Sequence, residues 1–169
     1  MKILLRVILA ITLFVSFDAA QSQTSWNWSY TNGTNLNASG TLSVAGNALT
    51  YEPVISITGT RNGVAITGMV SLTDPSFSTW LYDNTFQANP TNVSFEGLLF
   101  KVGNAGSVVN LYYNNGYREF YDTGLSGGSV NQAVSLHVTA VPEPETYALM
   151  LLGLGLVTFF SQRKRAQQS

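Results

Sequence analysis

Few residues in this chain are of types suited to covalent or acid–base chemistry, and their spacing sets how far each can be taken. The segment GLSGG, Gly124 to Gly128, matches the G-x-S-x-G pattern, in which a strained strand-to-helix turn presents a nucleophilic serine, here Ser126. That device needs a helix after the serine, whereas the strand-like stretch VNQAVSLHVTA follows, so a Gly/Ser loop is the preferred reading. The single histidine, His137, shares a polar face with Ser135 and Thr139, opposite Val134, Leu136 and Val138. One histidine cannot build a multi-histidine metal site, and the sequence places no acid–base partner beside it, so a solvated strand position is expected. The chain has no cysteine, which excludes thiolate metal sites, cysteine nucleophiles and disulfides.

The carboxylates Asp74, Asp83, Glu96, Glu119 and Asp122 are scattered. Two of them brought together could serve glycoside hydrolysis, but nothing in the sequence selects which two. Asp74, Asp83 and Asn84 could line a calcium loop, although their spacing fits no EF-hand pattern. The aromatic residues are more suggestive. Trp26, Trp28, Trp80 and Tyr117, on an exposed sheet face, would stack on sugar rings by presenting apolar area with a polar tip. Cross-strand aromatic pairs equally fill a β core, and alternation sends about half of them inward, so core packing is favoured. Asn-x-Ser/Thr sequons stand at Asn27, Asn32, Asn37 and Asn92, as chance provides in a chain rich in these residues.

The elements that must position these residues read as strands. Period-two alternation recurs in WNWSY, GTLSV, VISITGT, VAITGMV, FEGLLFKV, SVVNLYY, YREFY and AVSLHVT. No stretch of the middle sustains apolar residues at three- and four-residue spacing. Asn62-Gly63 and Asn115-Gly116 each lie between alternating stretches and tolerate the positive φ values of a type I′ hairpin. The expected fold is all-β, an antiparallel β-sandwich or alternatively a small β-barrel, with loops at 32–37, 74–79, 83–92, 103–106 and 123–129. The 169 residues leave room for one such domain of about 115–120 residues between two hydrophobic ends. Within it Arg61, Lys101 and Arg118 stand against six carboxylates, a balance that argues against nucleic-acid binding.

The ends carry addressing chemistry. Lys2 and Arg6, the apolar run Val7 to Phe17 and the small-residue stretch DAAQSQ have the layout of a secretory signal peptide over residues 1–20. Cleavage is expected after Ala20, with Ser22 as the alternative, leaving a domain over 21–140. At the other end Pro142, Glu143 and Pro144 precede fourteen uncharged residues, Tyr147 to Phe160, and then Arg163, Lys164 and Arg165. As helix those fourteen cover about 21 Å against a hydrocarbon core of about 30 Å, a weak anchor in the inner membrane. The basic cluster would stay cytoplasmic and leave the domain on the exported side. Pro142 and Pro144 hold the approach extended, in a form a processing enzyme can grip.

The stretch VPEPETYALMLLGLGLVTFFSQRKR closely resembles the C-terminal sorting signal of PEP-CTERM proteins of Gram-negative bacteria. The likeness falls on Pro142, Glu143 and Pro144, on Thr146 and Tyr147, on the Leu/Gly-rich segment, and on Arg163, Lys164 and Arg165; Glu145 stands where a small residue is common. The resemblance implies recognition and cleavage by a membrane-embedded exosortase. It further implies deployment at the cell surface or in a biofilm matrix, in the company of extracellular polysaccharide. The middle, through SITGTRNGVAITG, GLLFKVG and VNLYYNNGY, is similar to a recurring uncharacterised domain of such proteins, which brings no activity with it. The expectation is therefore a structural or interaction protein rather than an enzyme, needing no cofactor, with a secreted carbohydrate-binding module as the alternative.

Overall fold

Strands form where apolar and polar residues alternate. β1 spans Gln23–Thr31, β2 Asn37–Ala45, β3 Glu52–Arg61, β4 Val64–Met69 and β5 Thr85–Phe86; β6 spans Leu98–Val102, β7 Ser107–Tyr113, β8 Tyr117–Asp122, β9 Ser129–Ala133 and β10 Ser135–Val141. The computed structural model describes residues 23–104, 106–124, 128–142 and 150–155, so the expected signal segment and Ser126 lie outside the described residues. Every alternating stretch named above holds a strand. Two strands carry no such signal: β5 is only two residues long, too short for alternation to show, and β9 is exposed along most of its length.

The strands join in one antiparallel sheet of order β10-β1-β2-β3-β4-β6-β7-β8-β9, with β5 added against the start of β3. The all-β antiparallel expectation holds, and the two facing layers are halves of this one sheet, curled as a half-barrel. The fold-over comes at the Asn62–Gly63 hairpin. There β4 pairs with β3 only through Thr60↔Ala65 and Arg61↔Val64, then departs to pair with β6. At the far side β9 and β10 are separated by Val134 alone, so one stretch of chain supplies both ends of the strand order.

Asn62 and Gly63 have φ of 48° and 79°, which gives the expected two-residue turn its positive φ values. The second hairpin is present but its turn differs. Tyr113 pairs with Tyr117, so Asn114, Asn115 and Gly116 form a three-residue loop, with Asn115 at φ 51° and Gly116 at φ 137°. The loop expected at 74–79 contains a single 3₁₀ turn, Pro75–Phe77, capped by Asp74.

The core lies between the halves. Trp28, Tyr30, Leu42, Val44 and Ile57 from one side meet Leu98, Phe100, Val102, Val109 and Leu111 from the other. A smaller apolar cluster forms on the outer face of β6 and β7, where the segment after β4 folds back and lays Phe77, Trp80 and Tyr82 against Val70, Leu99 and Val108. Asn84 fastens that segment: its side chain donates to Val70 O at 2.8 Å and accepts from Leu99 N at 2.8 Å. The outer face of β10-β1-β2-β3 carries no carboxylate, lysine or arginine among the described residues, with Asn27, Thr41 and Thr58 in one row and Ser29, Ser39 and Thr60 in the next. Residues 150–155 form a short exposed helix, and no helix among the described residues is long and apolar enough to cross a membrane.

Candidate functional site

The C-terminal exit is fixed by the last strand. β10 runs antiparallel to β1, and its final residue, Val141, pairs with Ser25. Pro142 follows at once and is exposed. No residue stands between the last strand and the first proline of the Pro-Glu-Pro segment. Glu143, Pro144, Thr146, Tyr147, Arg163, Lys164 and Arg165 lie outside the described residues.

The four aromatic residues proposed for sugar stacking do not share one exposed face. Trp28 is buried, stacked on Tyr30 at 5.7 Å and tilted against Phe100 at 6.2 Å. Trp26 leans on Phe86 at 5.4 Å, and Tyr117 turns its ring toward Tyr113 and donates its hydroxyl to Asn92 Oδ1 at 3.0 Å. All three lie on the core side of the sheet, where the parity of β1 and β8 sends them. Trp80 alone is on the outer side, held edge-on between Phe77 at 6.0 Å and Phe120 at 5.3 Å.

Trp80 borders a cleft of about 380 Å³, lined also by Tyr112, Phe120, Phe95, Glu96 and Asp122. Tyr112 and Phe120 are the outward residues of β7 and β8, opposite in parity to the core residues Leu111 and Tyr121. Asn110 ties the cleft together, its Nδ2 donating to Leu81 O and Glu96 O, both at 2.9 Å. Of the five scattered carboxylates, the fold brings Glu96 and Asp122 to this one place. Asp74 instead caps its own turn and faces Lys101 at 3.6 Å, while Asp83 accepts from Thr85 N at 3.0 Å and Asn84 is committed to backbone groups. His137 is exposed on β10, as its parity requires.

Glu119 is the group that sequence reading missed. It is fully buried in the core, where Arg61 grips it through Nε at 2.9 Å and Nη2 at 2.7 Å. Tyr30 donates its hydroxyl to the same carboxylate at 2.5 Å, and Gln132 donates at 3.1 Å. The Arg61 guanidinium also lies over the Tyr121 ring, 3.7 Å from its centre. Burial, with the charge and hydrogen bond of Glu119 adding to it, pushes the Tyr30 phenol well above its ordinary value; Arg61 opposes them. Burial pulls the Arg61 guanidinium down, but hydrogen bonding and attraction to Glu119 outweigh it and leave it raised. The cluster links β1, β3, β8 and β9, so its role is to hold the halves of the sheet together rather than to meet a ligand. The available signal was parity: in YREFY, Glu119 shares the inward side with Tyr117 and Tyr121.

No curated protein and no solved structure matches the chain. Residues 140–165 match the PEP-CTERM protein-sorting motif. The match begins within the last residues of β10 and takes in the Pro-Glu-Pro segment, the apolar stretch and the basic cluster. The chain therefore carries the PEP-CTERM sorting motif of an exported protein that depends on an exosortase for delivery to the cell envelope or surface.

Proposed function

We infer that the β domain is itself the delivered cargo, a non-catalytic structural or interaction protein that works at the cell surface or in a biofilm and exopolysaccharide matrix. The observation that supports this is the position of the motif directly after the domain's last strand, with Val141 still paired to Ser25. Before processing, the apolar segment 147–160 and its basic stop would hold the domain at the inner membrane on the exported side. Its shortness suits a temporary tether. Replacement of Pro142, Glu143 and Pro144 by alanine should leave an uncleaved precursor in the membrane fraction. Unchanged release of a product of the same size would refute the reading.

A second reading, a carbohydrate-binding module, is favoured by the aromatic cleft beside Trp80. Its test is a glycan array probed with the purified exported protein. Absence of binding to any immobilised glycan removes this reading and leaves the sorting reading intact.

A further inference from the structure

Only one concave surface among those described gathers aromatic rings and carboxylates without a countercharge, and we propose that this cleft beside Trp80 is a saccharide site. It takes sugar units that are neutral or carry a free amine, and it rejects uronic-acid polymers. The proposal rests on the carbohydrate-binding reading and gives that reading a place and a charge preference.

The cleft's floor is rigid. Trp80 is wedged edge-on between Phe77 and Phe120, and Tyr112 is held by Asn131 through its hydroxyl at 2.9 and 3.2 Å. Rings fixed before a ligand arrives lose little freedom on binding, and their faces match the C–H face of a pyranose. At about 380 Å³ the cleft falls within the ordinary range for small-ligand sites, about 300–1,000 Å³. Simple cover for the sheet would bury its apolar residues, yet Phe95 is 60% exposed and Leu81 is 56% exposed, and both line this cleft.

The polar groups decide the class of sugar. Glu96 and Asp122 line the cleft, and neither forms an ion pair among the described residues. Asp122 Oδ1 accepts from Gly124 N at 2.8 Å, which leaves its second oxygen for a ligand. Arg61 is taken by Glu119 and Lys101 faces Asp74, while Arg118, opposite Tyr112 on the same outward face, donates from Nε to Asn131 and is not part of the cleft's lining. A cleft with acceptors and no cation takes hydroxyl protons, attracts an ammonium and repels a carboxylate. Asn110 fixes the walls of the cleft: it is 8% exposed and its Nδ2 donates to Leu81 O and Glu96 O, while its Oδ1 is turned toward Gly97.

The test uses the purified exported protein and three probes by calorimetry: chitosan oligomers bearing free amines, neutral cello-oligosaccharides, and oligogalacturonate. Binding should be strongest for the amine-bearing probe, weaker for the neutral one and undetectable for the acidic one, with added salt weakening only the first. Phe95→Ala should lower affinity for both bound probes by about tenfold. Glu96→Gln should lower affinity for the amine-bearing probe and spare the neutral one. Both residues lie at the rim, so thermal unfolding should match that of the unmodified protein. If the unmodified protein binds no probe, the carbohydrate reading fails as a whole. If it binds while Phe95→Ala, Glu96→Gln and a folded Trp80→Ala all bind unchanged, this site is wrong and the broader reading survives. A preference for oligogalacturonate overturns the charge assignment.

Discussion

Glu119 occupies the most demanding position in the protein, a carboxylate with no exposure inside an apolar core. Such a group survives only when its oxygens are fully engaged, and here Arg61, Tyr30 and Gln132 engage them. Removing one charge strands the other. Glu119→Leu should therefore cost about 3–5 kcal/mol in urea unfolding, and the double variant with Arg61→Met should recover a large part of that loss. Tyr30 gives the cluster a pH signature. Its folded value is raised, so its contribution is complete below the ordinary phenol range of about 10 and is lost as pH rises through the folded value. Tyr30→Phe should lower stability at about pH 8 by about 1.5–3 kcal/mol, the worth of a hydrogen bond to a charged group. It should also make the further loss between about pH 8 and about pH 11 shallower than in the unmodified protein. An equally steep loss in Tyr30→Phe would show that the phenol does not drive it. Residue pairing of this kind was illegible in the sequence, because 58 positions separate Arg61 from Glu119 and 89 separate Tyr30 from it.

Among the elements, alternation made eight strands readable, most of them with one buried and one open face, while β6 and β7 are covered on both sides. What it could not show was curvature. Gly40 and Gly59 oppose one another across β2 and β3, in the row that also carries Trp28 and Val138, so β2 and β3 place no side chain in that row. Their backbones approach so closely that a Cβ on Gly40 would lie 1.8 Å from Thr58 O, and one on Gly59 would lie 2.1 Å from Ser39 O. Gly59 also has φ of 133°. Gly63, in the first hairpin, has positive φ as well, but nothing lies within 4 Å of its added Cβ. The two glycines separate conformational cost from collision. Gly63→Ala should lose about 1 kcal/mol, whereas Gly59→Ala should lose more than about 3 kcal/mol or fail to fold. Equal losses in thermal or urea unfolding would contradict the close approach. The cleft was half legible in the same terms. Trp80 stood out by type, but Tyr112 and Phe120 became its neighbours only when the parity of β7 and β8 and the fold-back after β4 were known.

At the scale of the whole molecule, sequence placed a strand just before the sorting motif but could not supply that strand's partner in the sheet. The motif itself was readable because its chemistry is local: prolines, an apolar run and a basic stop in fixed order. That β10 ends only one residue before Pro142 depends on a pairing with β1 more than a hundred positions away. Processing at or beyond Pro142 leaves the β1–β10 ladder whole, whereas loss of β10 uncovers the edge of β1 and opens the core at Leu136 and Val138. A chain ending at Pro142 should melt within about 2 °C of the longer protein, since a stability change well under 1 kcal/mol is all that is removed. A chain ending at Val134 should be insoluble or unfolded by circular dichroism, because an exposed strand edge and an open core act together. A soluble, cooperatively melting product from the Val134 truncation would mean that β10 is dispensable, and the sheet would then impose no upstream limit on where the sorting cut can fall.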